Sequence, residues 1–286
     1  GNRQNAFFGN ASGSRNTTGE INTCIGYSAG GFTGTGMTGQ ENTFVGGYAS
    51  GNVTSGDYNT SVGRSAGQDL NSGDKNTSVG YSAGQQITSG GNNLFLGVDA
   101  GRTGSPGGAQ TTGSNEIFLG DENITAANIQ VDWTVASDQR DKTDFSSLDI
   151  GLDFVNALKP YTFKWDKRVK YVNREGKNGI STKSIENGIS TEDKWEDTVD
   201  LDTITSDGTH KEDWLDIGFK AQDVEVLEKA AGYKIADKTN LTTTLTNDGK
   251  QYGIKYNKFV PILVKALQEL SDKNDALEAR IKTLEG

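Results

Sequence analysis

The chain has 286 residues, 33% of them hydrophobic, and its 38 acidic against 28 basic side chains leave a formal net charge of −10. That length allows two or three domains, while the negative charge argues against a nucleic-acid or anionic-membrane surface and the lack of an 18-residue apolar run against membrane insertion. The single cysteine, Cys24, and single histidine, His210, exclude an intrachain disulfide and a conventional one-chain zinc site, so neither metal nor cofactor is expected. No secretion signal is legible, and the opening Gly1-Asn2-Arg3 reads as the middle of a larger protein.

Residues 1–122 are built from a repeat, with segments beginning at Asn5, Asn22, Asn42, Asn59, Asn76 and Asn93 that follow the pattern NTSVGYSAG. The spacing is 17 residues except where the loop GFTGTGMTG lengthens one step; a last imperfect copy starts at Asn115, with Glu116 in the asparagine position. Seventeen residues are too few for a strand–helix–strand crossover, so each repeat must be short strands joined by tight turns. The apolar residue before the first glycine (Phe8, Ile25, Val45, Val62, Val79, Leu96, Leu119) and the alanine after it (Ala29, Ala49, Ala66, Ala83, Ala100) are expected to point inward. Cys24 sits where other repeats carry Ser or Phe and reads as a small packed residue. The pattern resembles the left-handed parallel β-roll of trimeric autotransporter adhesin heads and phage fibre shafts, and a trimer is what that resemblance implies. GTGMTG at Gly34 matches a dinucleotide-binding fingerprint by letters only, since no helix follows.

Residues 123–136 form a connector in which Ile129, Val131, Trp133 and Val135 alternate, predicting a strand that delivers Ser137. Ser147 or Asp149 can cap a helix carrying Ile150, Phe154, Val155 and Leu158, stopped by Pro160. Tyr161, Phe163 and Trp165 alternate as a strand, and residues 166–214 form a polar arm containing NGIST twice. DIGFKAQDVEVLEKAAG predicts a strand turning into a helix that ends at Gly232, and Tyr252, Ile254 and Tyr256 a further strand. Residues 257–286 read as a helix capped by Asn257, with a seam of Val260, Leu263, Leu267, Leu270, Asn274, Leu277, Ile281 and Leu284. That seam predicts a parallel coiled coil, and the pattern alone does not separate dimer from trimer. The tryptophans Trp133, Trp165, Trp195 and Trp214 are expected mostly as core or arm anchors, with stacking on sugars the alternative for exposed aromatics on a fibre, and His210 as an exposed loop residue, a metal held by three copies around an axis having only faint support.

SDQRDK from Ser137, ALKPYTFKW, DIGFKAQDVE and YGIKYNKFVPILVKALQEL, in that order, resemble the C-terminal intramolecular chaperone domain of phage endosialidase tailspikes and tail fibres. The resemblance implies a homotrimer that helps a β-structured fibre to fold and then cuts itself off. It places the scissile bond at Ala136–Ser137, with Ser137 as nucleophile and Lys142 as general base, and assigns residues 137–256 to the chaperone. It also implies a virion tail-fibre location, a bacterial cell-surface receptor of polysaccharide or protein, and release of the chaperone in the host cytoplasm. The fold class expected is thus a mainly β parallel β-roll or β-solenoid fibre followed by an α+β chaperone domain ending in a trimeric coiled coil.

A Ser–Lys pair is one known way to activate a hydroxyl without histidine, but the lysine needs burial or a nearby cation to act as a base near neutral pH. Arg140 is the candidate cation, or the group that stabilises an oxyanion. Five residues along a helix or a strand do not bring Ser137 to Lys142, so the pair needs a bend or a neighbouring subunit's lysine. Taken by itself, SDQRDK also reads as a helix start with Ser137 as its cap. A competing function is a bacterial surface adhesin or scaffold in which the C-terminal domain is a permanent, non-cleaving trimerisation clamp.

Overall fold

The structure, a computed structural model, describes residues 4–32, 36–172 and 200–286. NGIST, Trp195 and most of the predicted arm lie outside these residues, as does part of GTGMTG. The chain divides into two compact units: Gly1–Thr125 with Trp165–Glu212 and Thr246–Gln251, and Ala126–Lys164 with Asp213–Leu245 and Tyr252–Gly286. No helix among the described residues is long and apolar enough to cross a membrane.

The first unit is a parallel β-solenoid. Seven three-residue strands, β1 (Ala6–Phe8), β2 (Thr23–Ile25), β3 (Thr43–Val45), β4 (Thr60–Val62), β5 (Thr77–Val79), β6 (Leu94–Leu96) and β7 (Ile117–Leu119), form one sheet in chain order. Equivalent residues pair, as in Thr60↔Thr77 and Val62↔Val79. The asparagine before each strand from β1 to β6 sets which side faces in, and Glu116 takes its place before β7. Asn42, Asn59, Asn76 and Asn93 are buried, and each Nδ2 from Asn59 onward donates to the Oδ1 of the previous asparagine, at 3.1, 3.2 and 3.0 Å in turn. The same Nδ2 atoms reach glycine carbonyls, as Asn76 does to Gly90 at 2.8 Å, so the amides are satisfied inside the coil.

Because strand residues alternate sides, an inward asparagine puts the second strand residue inside and the third outside. Cys24, Phe44, Ser61, Ser78, Phe95 and Phe118 accordingly fill the interior, and Phe8, Ile25, Val62, Leu96 and Leu119 are exposed. This corrects the expectation that the apolar residue before glycine points in: hydrophobicity alone misplaces the strand by one residue, which reverses its faces. The alanines Ala29, Ala49, Ala66, Ala83 and Ala100 are fully buried, as expected. Burial also pushes the Cys24 thiol up to about 12, the behaviour of a packed, inert sulfur. A second buried column, Val53, Leu70 and Ile87, was missed although its 17-residue spacing is visible in the sequence. The coils lie so close that a Cβ on Gly63, at φ +131, would meet the Gly80 oxygen at 2.4 Å.

Later segments complete this unit. Lys167 donates to the Glu122 carbonyl at 2.9 Å, and Val169 of the 3-10 turn Arg168–Tyr171 is buried. Arg168 reaches the carbonyls of Leu201 and Lys250, while Lys250 pairs with Asp200 and Asp202, both at 2.8 Å.

The second unit is α+β. Helix α1 (Leu152–Ala157) precedes β8 (Tyr161–Phe163), which pairs antiparallel with β9 (Asp216–Gly218); α2 (Ala221–Ala230), the hairpin β10 (Thr243–Leu245) and β11 (Tyr252–Ile254), and the long α3 (Phe259–Glu285) follow. Ile150, Phe154, Val224, Phe259 and Ile262 make its core. Glu228 of α2, fully buried, accepts from the backbone N–H and hydroxyl of Thr242 at 2.5 and 2.7 Å and from the Thr243 hydroxyl, tying α2 to β10. Neither Ser147 nor Asp149 caps α1: Glu269 of α3 takes the Leu152 N–H at 2.8 Å, while Asp149 accepts from the Tyr233 hydroxyl. Asn257 falls in a 3-10 turn, and α3 begins at Phe259 without a side-chain cap. One face of α3, Phe259, Ile262 and Ala266, is buried, whereas Val260, Leu263, Leu267, Leu270, Leu277, Ile281 and Leu284 are exposed.

The predicted strand over Ile129–Val135 is not formed. Its alternation is real, but no strand of the described residues pairs with it, and Val131, Trp133 and Val135 are 69–76% exposed. Trp165 and Trp214 are also exposed, contrary to their expected role as anchors.

Candidate functional site: the Ala136–Ser137 junction

Asn123 to Ser147 is exposed throughout, so the junction is a ribbon of extended chain presented to solvent. Within it the 3-10 turn Gln139–Asp141 is the only helix or strand element. Asp138 starts the turn: its side chain accepts the Arg140 backbone N–H at 2.9 Å, the short polar cap such a turn favours. Arg140 then folds its guanidinium back onto the Asp138 carboxylate, with Nε at 3.1 and 3.2 Å and Nη2 at 2.6 Å. The guanidinium beside it, reinforced by the backbone N–H, holds the Asp138 carboxyl below its ordinary range.

The turn reverses the chain far enough for Lys142 Nζ to lie 2.6 Å from Ser137 Oγ. Of the two routes expected for joining residues five apart, a bend or a neighbouring subunit, the bend is present within a single chain. Arg140 is engaged by Asp138, and Ala136 lies in the extended chain immediately before Ser137. All these side chains are exposed. The junction is flanked by Val131, Trp133 and Val135 before it and Phe145 after it, an unusual concentration of exposed large apolar side chains. His210 is exposed and lies edge-on to Tyr171, with ring centroids 4.6 Å apart. Sequence reasoning missed Glu269, which lies 117 residues from the Leu152 N–H it caps; no local pattern announces it.

In class, then, this is a parallel β-solenoid followed by an α+β segment with a long C-terminal helix. Residues 137–189 match the model of a peptidase family described as the chaperone of endosialidase. Over that span the chain is similar to an intramolecular chaperone, and the match begins at Ser137 itself. No curated protein and no solved structure matches the chain.

Proposed function

We propose that the chain is the distal part of a phage tail fibre or spike. In this reading it is a homotrimer whose solenoid contacts a bacterial surface receptor. Its chaperone segment drives folding and assembly and is then released by scission between Ala136 and Ser137. The observation that carries the reading is the hydrogen bond between Lys142 Nζ and Ser137 Oγ, 2.6 Å long, at the residue where the family match starts.

The attacking hydroxyl and the leaving nitrogen belong to the same residue. Lys142, once neutral, takes the Oγ proton as Oγ attacks the Ala136 carbonyl carbon; the proton passes to the Ser137 nitrogen as the C–N bond breaks, leaving an ester between Ala136 and Ser137. Water then hydrolyses the ester to an Ala136 carboxylate and a chain beginning with Ser137. Burial favours the neutral amine, and a lysine in solvent lacks it. The apolar side chains around the junction supply that burial when other copies cover them, so the bend is ready in each chain and the protonation state waits for assembly.

Mass spectrometry of the purified wild-type chain tests this: fragments ending at Ala136 and beginning at Ser137 are expected, with hydroxylamine converting the ester to an Ala136 hydroxamate. Ser137→Ala and Lys142→Ala should stay whole and still trimerise. A wild-type chain that stays whole under assembling conditions would favour a permanent trimerisation clamp instead.

A further inference from the structure

Two inward columns of the solenoid, the asparagine ladder and the apolar column of Val53, Leu70 and Ile87, keep one chemistry until the last coil. The ladder column is Asn42, Asn59, Asn76 and Asn93, then Glu116, whose backbone N–H donates to Asn93 Oδ1 at 3.0 Å. The column of Leu70 and Ile87 continues as Gln110: these three N–H groups donate to the equivalent carbonyls of Gly67, Gly84 and Gly101. At this end the ladder thus changes from amide to carboxylate and the apolar column turns polar, with Gln110 only 1% exposed.

Both new side chains are met from more than 130 residues away. Asn247 Nδ2 donates to Glu116 Oε1 at 3.1 Å and to Gln110 Oε1 at 3.3 Å. Asp248 Oδ2 accepts the Ala109 N–H at 3.1 Å, and a Cβ on Gly108 would come within 3.0 Å of the Asp248 carboxylate. The loop bearing these residues is shaped beforehand, because Thr246 N–H donates to the Gln251 carbonyl and Gly249 N–H to the Thr246 carbonyl. Along the ladder, each amide nitrogen donates to the side-chain oxygen of the rung before it; Asn247 does the same to Glu116.

We propose that the hairpin tip Thr246–Gln251 is a template cap, supplying the rung that would follow Glu116 and closing the open edge of the last coil. A solenoid end presents unpaired strand edge and requires such a cover. Gln110 donates to Glu116 Oε2 at 3.0 Å and accepts the Gly113 N–H at 2.9 Å, and the pair leaves Glu116 Oε1 and Gln110 Oε1 to receive Asn247 from the loop. One consequence rests on the scission proposed above: the tip is C-terminal to Ala136–Ser137, so the last rung is where chaperone and fibre part.

Amide exchange on the full chain, in a Ser137→Ala background, tests the cap separately from the scission chemistry. Asn247→Asp sets two carboxylates against each other and removes the donor to both Glu116 and Gln110, so exchange over residues 109–119 should rise at least about tenfold, the loss of the charge-assisted bond alone, while β2 is unchanged. Adding Glu116→Gln restores a donor–acceptor pair in the opposite sense and should bring protection back. Unchanged exchange in Asn247→Asp, loss spread evenly over all coils, or no recovery in the double variant overturns the cap. None of these outcomes depends on whether the wild-type chain cuts itself.

Discussion

Asn76→Ala is the sharpest probe of the solenoid. The Asn76 side chain accepts from the Asn93 backbone N–H and Nδ2 at 3.1 and 3.0 Å, and donates to Asn59 Oδ1 at 3.2 Å and the Gly90 carbonyl at 2.8 Å. Truncation deletes four hydrogen bonds in a site that is 2% exposed. At a net contribution of about 1 kcal/mol each, the loss is about 4 kcal/mol, with stranded buried groups pushing it higher. For a unit of this size that corresponds to a fall in Tm of roughly 10 °C.

Thr77→Ala is the matched control, since Thr77 is half-buried and outside the ladder; its cost should stay below about 1 kcal/mol. Circular dichroism melting compares the two, and amide exchange locates the damage. Solenoid coils contact only their neighbours, so protection should fall at β4 to β6 before β1 or β2. An Asn76→Ala protein melting within 2 °C of Thr77→Ala would refute the ladder as the source of coil stability.

Three further outcomes follow from the same geometry. Gly63→Ala should be nearly as damaging as Asn76→Ala in the same melting assay, because the added Cβ must push against the Gly80 carbonyl at 2.4 Å from a left-handed backbone position. Glu269 caps α1 with its carboxyl held below its ordinary value of 4.5, chiefly by the Leu152 N–H. The folded state therefore binds fewer protons than the unfolded near pH 4, so this contribution is full above about pH 4.5 and is lost as pH falls through the lowered value; acid unfolding of Glu269→Gln should lack that component. Leu267→Asp, on the exposed face of α3, should lower the oligomeric mass seen by light scattering while leaving the intrachain core intact, whereas Ile262→Ala, on the buried face, should cost about 2 to 5 kcal/mol of fold stability.

Much of the fold was legible because it repeats. Seventeen-residue spacing announces short strands and turns, and the small alanines announce a thin interior. The facing of the strands was not legible from hydrophobicity, because a buried polar ladder, not the valines, sets the phase; Asn at every repeat start was the available signal. Strands β8, β9 and β11 and helix α2 could be read from local alternation and periodicity, whereas the cap of α1 comes from Glu269 and has no local signature. At the junction the residue types pointed to Ser137 and Lys142, while the turn that joins them depends on Asp138 accepting the Arg140 N–H. Alternation at Ile129–Val135 reads as a strand, yet no strand among the described residues pairs with it.

That unpaired alternation belongs with two other surfaces. The solenoid carries Ile25, Val62, Leu96 and Leu119 in register on its outside, and α3 carries its heptad seam in solvent, up to 84% exposed at Leu284. Soluble chains rarely leave contiguous apolar stripes uncovered, and a seam with a 3–4 spacing is covered by parallel copies of itself. If, as proposed, copies of the chain cover these surfaces, a single number of copies must satisfy all three together; a dimer at one surface and a trimer at another would branch without closing. On the proposed reading, the same closure that pairs the helix seams also buries Trp133 and Val135, and with them the lysine that must lose its proton. Assembly and scission are then one event, and weakening the seam at Leu267 should slow the cut at Ala136–Ser137, some 130 residues away in sequence. Leu267→Asp that dissociates the oligomer yet cuts at the wild-type rate would break that link.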